Sequence, residues 1–207
     1  DRSPSRGLGD VYKRQPYYSG SVKVKIEQEF TRATGGGIGY TKAAGNYGGA
    51  FYPTSQAIKE GYNQVIWTDH KEHKYIEESG TMNLMLLIGD TFVTPPLTDR
   101  ILAGVTRRSI ITLIKEQGWT IEERPVTVDE IVEAAGSGAL KEAFGMGTAA
   151  VVSQIDTIGH LGTNYSIPTP TDGKAIEIKR LLNDIRLGRT PDIHQWMMDA
   201  VIPATAE

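Results

Sequence analysis

The sequence predicts a mixed fold, α/β or α+β, without internal repeats, and three observations carry that reading. Val22, Val24 and Ile26 alternate with Lys23, Lys25 and Glu27, the period of a half-exposed strand. Residues 82–88, MNLMLLI, are apolar enough for a buried strand. Residues 174–187 carry the amphipathic spacing of a helix and stop at Gly188, a residue that favours helix ends.

The remaining elements follow in order. The first strand opens at Ser21 and runs into a glycine-rich stretch, residues 35–49, read as a loop. A short helix around residues 55–60 and a strand at 64–68 come next, and Asp90 marks a turn beyond the buried strand. Ile110, Ile111, Leu113 and Ile114 predict a helix from 106 to about 117. Thr127-x-x-Glu130 is a capping box announcing a helix from 128 to about 135. Both helices are expected to pack on sheet faces. Residues 144–155 read as a turn into an apolar strand, and 165–170 as extended chain.

Composition narrows the function classes. The 207 residues suffice for one well-buried domain or two small ones, and 39% hydrophobic with 23% charged residues is ordinary for a globular protein. A net charge of −3 and a pI near 5.9 argue against a basic nucleic-acid surface. No segment reaches the roughly 20 apolar residues of a membrane helix, so a cytoplasmic protein is expected. The absence of cysteine excludes disulfides and thiolate metal sites. His70, His73, His160 and His194 lack a metal-ligand pattern, so no metal is expected. Residues 1–15, DRSPSRGLGDVYKRQ, lack hydrophobic periodicity and the apolar core of a signal peptide. They read as a foreign or misassembled leader to one domain, 16–207, and as poorly ordered.

Lys42 lies in GGGIGYTKAAGNYGG and is the chain's most informative residue. Glycines permit close backbone approach, and a partly desolvated amine can become a nucleophile toward an aldehyde such as that of pyridoxal phosphate. A P-loop is excluded because Ala43, not Ser or Thr, follows the lysine, and a dinucleotide fingerprint because Gly37 and Gly39 lack their third glycine.

KAAGNY at 42–47, EESGTMNLM at 77–85, ILAGVTRRSI at 101–110 and FGMGTAAVVS at 144–153 occur in that order. Together they resemble the branched-chain amino acid aminotransferases, pyridoxal 5'-phosphate enzymes of fold-type IV, from about Pro16 to the C-terminus. The resemblance implies that Lys42 carries the internal aldimine and shuttles the substrate proton. It implies that Tyr47 binds the ring hydroxyl, that Glu78 pairs with the pyridine nitrogen, and that Val105, Thr106 and Thr148 hold the phosphate. Thr81 and Ala149 would hold the substrate carboxylate. The adjacent Glu77, pointed the opposite way by strand alternation, is read as surface. Ala150 and Ser153 stand where some relatives carry a redox C-x-x-C, and Gln154 where proline is common.

The implied activity is transamination of Leu, Ile and Val with 2-oxoglutarate, in a full-length parent expected to be a homodimer binding amino acid and 2-oxo acid substrates. The chain would be the large C-terminal domain of the fold-type IV architecture with the small N-terminal domain missing. Loss of that domain's phosphate-binding arginine would remove a charge-assisted bond of about 1.5–3 kcal/mol. Two alternatives remain open. One is a sister fold-type IV enzyme, a D-amino acid aminotransferase or aminodeoxychorismate lyase, though Thr81-Met82-Asn83 and Gly45-Asn46-Tyr47 favour the branched-chain type. The other is a non-catalytic fragment that binds no cofactor.

Overall fold

The computed structural model describes residues 20–198, so the leader expected at 1–15 lies outside the described residues. In β1 (Val22–Ile26) the two valines and Ile26 enter the core while Lys23 and Lys25 stay outside it, as the alternation predicts. Helix α1 (Gly45–Lys59) carries the chain back so that β2 (Gln64–Thr68) lies parallel to β1, with Val24 opposite Gln64. Parallel pairing needs such a crossover.

Strands β3 (Ile76–Ser79) and β4 (Met82–Ile88) form a hairpin joined by Gly80 and Thr81. Gly80 has φ 56°, the left-handed value that the first position of this loop requires and that glycine adopts without strain. The resulting register sets Glu78 directly opposite Asn83. A second crossover links β5 (Thr91–Thr94) through α2 (Val105–Glu116) to β6 (Thr120–Glu123), which pairs parallel to it. Then follow α3 (Val128–Ser137), β7 (Leu140–Gly147), β8 (Val151–His160), β9 (Thr163–Ser166) and α4 (Lys174–Arg186).

The strands close on themselves in the order β1, β2, β3, β4, β7, β8 and back to β1. Closure is partial, because Met82 and Asn83 of β4 pair with β3 while Leu86 to Ile88 pair with β5. The closed end is therefore the end that bears Glu78. Every strand of the ring contributes to an inner core, including Val24, Ile66, Ile76, Leu84, Ala143 and Ile158, covered by Ile131 and Ala134 of α3. On the outer face Met85, Leu87, Phe144 and Met146 pack under α2 and α4. Alternation along β4 thus feeds two cores, which is why its sequence reads as continuously apolar.

Several expectations need correction. Helix α1 spans Gly45–Lys59 rather than 55–60, extending into the stretch read as loop. Three glycines and Pro53 lower its propensity. Its start is fixed instead by the Asn46 side-chain amide, which donates to the Ile38 and Thr41 carbonyls, both at 2.8 Å. Residues 144–147 belong to β7 rather than to a turn. Thr127 caps α3 as predicted, its hydroxyl accepting from the Glu130 N–H at 3.1 Å. The Glu130 carboxylate does not complete the box, because Arg124 donates to it at 2.6 and 3.0 Å. Among the described residues no helix is long and apolar enough to cross a membrane.

Candidate active site

Glu78 is the electrostatic centre of the closed end. It is 3% exposed, and its Oε1 accepts from the Leu102 N–H at 2.9 Å and from Asn83 Nδ2 at 3.3 Å. Its Oε2 lies 3.1 Å from Arg32 Nε. Arg32 Nε has no aligned hydrogen bond, so this contact is Coulombic. Burial pushes the Glu78 carboxyl up to about 7, against the opposing pull of Arg32 and the Leu102 amide. A carboxyl that titrates near neutrality inside a cleft is a candidate functional group.

Glu78 lines a cleft together with Arg32, Thr41, Asn46, Tyr47, Ala50, Gly80, Thr81 and Leu102. The sequence-predicted residues Tyr47, Glu78 and Thr81 are therefore brought together. Tyr47 enters from the first turn of α1, and Thr81 from the hairpin loop beside Glu78.

The lysine loop is held onto the segment before α2. The Gly36 N–H donates to Asp99 Oδ2 at 2.6 Å, and the Tyr40 N–H to the Asp99 carbonyl at 3.0 Å. A methyl at Gly39 would sit 2.8 Å from Arg100 Cα and 2.9 Å from its carbonyl oxygen, so only glycine fits. The Thr41 hydroxyl donates to the Ile38 carbonyl at 2.7 Å. The loop is thus braced up to the residue that precedes Lys42. Lys42 itself is exposed and does not line the cleft. The shielding expected of its amine is not supplied by residues 20–198, since small alanines and glycines follow it.

The phosphate-site candidates lie nearby without lining the cleft. Gly104, not a threonine, is the N-cap of α2 and makes no side-chain hydrogen bond, leaving the amides at Val105 and Thr106 to an outside acceptor. Asn83 ties this helix start to Glu78, since its Nδ2 also donates to the Leu102 carbonyl at 2.9 Å. Thr148 and Ala149 are exposed in the turn between β7 and β8. Register places that turn at the same end, because Glu78, Asn83, Met146 and Val152 face one another across β3, β4, β7 and β8. Val151, next to the turn, has φ 62°, a strained value for a β-branched residue.

Glu77 is not a surface residue. It is 2% exposed and forms an ion pair with Arg100 Nε, and burial raises its pKa. Its alternation is as expected, and it lines a different cavity from Glu78. Sequence reasoning also missed Arg32, whose partners are distant in the chain. Asn83 had a signal in the same E-S-G-T-M-N motif that marked Glu78.

The family model described as Amino-transferase class IV matches residues 12–158. The chain belongs to the class IV aminotransferases. A probable branched-chain-amino-acid aminotransferase of Staphylococcus aureus (strain N315) is 42% identical over 176 residues, 83% of this chain and 48% of that protein. Branched-chain-amino-acid aminotransferase 2 of Bacillus subtilis (strain 168) is 41% identical over 179 residues, 84% of this chain and 48% of its own length. The solved branched-chain amino acid aminotransferase of Escherichia coli matches this class IV chain with a TM-score of 0.72 at 26% identity. That match covers 86% of this chain and 57% of the other. The class IV chain therefore spans about half the length of the curated relatives it matches.

Proposed function

We propose that this class IV aminotransferase chain is the lysine-bearing large domain, 16–207, of an enzyme that moves the amino group of leucine, isoleucine or valine to 2-oxoglutarate with pyridoxal 5'-phosphate. The observation that carries the reading is Glu78, buried beside Arg32 and sharing a cleft with Tyr47 and Thr81. When bound, the cofactor supplies an aldehyde for amines and a cationic ring that takes up the electrons of a carbanion.

The residues present fit such a group. Glu78 is a buried acceptor suited to a ring N–H, and Tyr47, which lines the same cleft, carries a hydroxyl that would serve the ring oxygen. The uncapped amides at Val105 and Thr106, with the Thr148 hydroxyl, suit a phosphate. Lys42 would hold the cofactor through its aldehyde, and its free amine would serve as general acid and base at the substrate α-carbon. Thr81 and the Ala149 amide hold the substrate carboxylate. Ile38, Tyr40, Phe51 and Tyr52, each more than half exposed, surround the lysine loop. They support burial of this face in a homodimeric full-length protein, which we place in the cytoplasm.

The test is reductive trapping. The full-length protein that carries this chain is incubated with pyridoxal 5'-phosphate and borohydride, digested and mapped by mass, and L-leucine turnover is followed with 2-oxoglutarate as acceptor. A pyridoxyl adduct on Lys42 is expected, and Lys42→Ala abolishes both adduct and turnover. A folded chain with no adduct and no transamination of any branched-chain L-amino acid defeats the reading.

A further inference from the structure

Arg32 lies between β1 and the lysine loop with its side chain only 8% exposed. Its Nε approaches Glu78, while its Nη2 donates to the Gly39 carbonyl at 3.2 Å and to the Arg100 carbonyl. A single guanidinium thus touches the carboxylate, the loop that presents Lys42, and the segment that leads into α2. We propose that Arg32 is a positioning residue whose single guanidinium sets the lysine loop in register with Glu78 and balances the charge of that buried carboxylate. The inference rests on the role assigned to Glu78 under Proposed function and deepens it.

The groups facing Glu78 define the balance. Arg32 approaches from the segment after β1, and the Leu102 N–H and the Asn83 amide donate from the α2 approach and β4; these favour the carboxylate. Glu77 on the same strand opposes it, and Tyr47 shares the cleft from α1. Burial already holds the group at about 7 with the cation in place, so removing the cation drives the carboxyl further toward its neutral form. Oε1 is taken by Leu102 and Asn83. Oε2 has only the unaligned Arg32 Nε near it and keeps capacity to accept from an N–H donor. The planar fork of arginine allows both jobs at once, because Nε and Nη2 point to different partners, whereas a lysine ammonium is one point charge.

Two variants separate the jobs, both measured on the chain without cofactor. The Glu78 carboxyl is titrated by carbon NMR, and exchange is followed at the Tyr40 and Thr41 amides, whose hydrogen bonds close the lysine loop. Arg32→Gln is expected to raise the Glu78 midpoint by at least about one pH unit and to speed exchange at both amides at least about tenfold. Arg32→Lys is expected to keep the midpoint within about half a unit while still releasing the loop. Folded Arg32→Gln with unchanged midpoint and exchange overturns the proposal. Should Arg32→Gln not fold, wild-type exchange in Arg32→Lys overturns it. Failure of the functional reading shows elsewhere, as a wild-type chain without a Lys42 adduct.

Discussion

Glu77 and Glu78 are chain neighbours, 2% and 3% exposed, each paired with an arginine. Strand alternation sends them into different surroundings. Glu77 meets a cavity walled by Tyr75, Ile76, Pro96, Ile101 and Pro125. Glu78 meets a smaller cleft lined by Thr41, Asn46, Tyr47 and Thr81. The proposed site of chemistry does not lie in the roomier cavity. Four of its eight lining residues are isoleucine or proline, Tyr75, Thr98 and the Glu77–Arg100 pair are its polar elements, and Lys42, Tyr47, Val105 and Thr106 do not line it. Burial of a charge therefore does not mark an active site; the polar company that shares its cleft does.

The largest test of this contrast is a pair of substitutions. Glu78→Gln is expected to lower turnover per folded molecule by on the order of 10²–10³-fold, the usual cost of removing one preorganised electrostatic partner, and to cost about 3–5 kcal/mol of stability, because Arg32, its side chain 8% exposed, is left buried without its partner. Glu77→Gln is expected to leave turnover per folded molecule within about twofold while costing about 1–3 kcal/mol of stability. That range lies below the roughly 3–5 kcal/mol of a fully buried broken pair, because Arg100 is 24% exposed and partly screened. Chemical denaturation and steady-state kinetics read both quantities. Equal losses of turnover in the two variants would erase the distinction.

A pH series sharpens it. The folded pKa of Glu78, about 7, lies above its ordinary 4.5, so between those values the folded chain keeps a proton that the unfolded chain has released. Stability from this group is complete below pH 4.5, declines as pH rises toward 7, and is flat above. Subtracting the Glu78→Gln profile from the wild-type profile isolates the term from Glu77, whose pKa is also raised by burial. A difference of about 3 kcal/mol between the ends of the window is expected, from a shift from 4.5 to about 7 at roughly 1.4 kcal/mol per unit. A rising difference profile would contradict the burial of Glu78.

The same contrast shows what sequence can and cannot disclose. The alternation of β1, the apolar run of β4 and the periodicity of α2 and α4 are local, and each element lies where the pattern puts it. The short strands IEES, TFVT, TIEE and TNYS carry too few alternating apolar positions to stand out. In β7, Gly145 and Gly147 mimic a turn, yet they make room for Met82 of the neighbouring strand. Tyr47, Glu78 and Thr81 were legible from motif and alternation, and they share one cleft. The burial of Glu77 and the part played by Arg32 were not, because Arg100, Gly39 and Glu78 reach them only through the fold.

Arg100→Lys should produce the smallest effect and the sharpest control for Arg32. The Arg100 side chain reaches Glu77 through Nε and Asp99 through Nη1, the latter at 3.3 Å, and Asp99 is largely exposed. The Arg100–Asp99 pair, open to solvent, contributes about 0–1 kcal/mol, and lysine retains the charge that buried Glu77 needs. A loss below about 1 kcal/mol is therefore expected. The backbone carbonyl of residue 100, which accepts from Arg32, is untouched by the substitution, so exchange at Tyr40 and Thr41 should match the wild type. If Arg100→Lys freed those amides as much as Arg32→Lys, the loop would be held from the Glu77 side of the strand, and the two glutamates would belong to one coupled unit rather than to two.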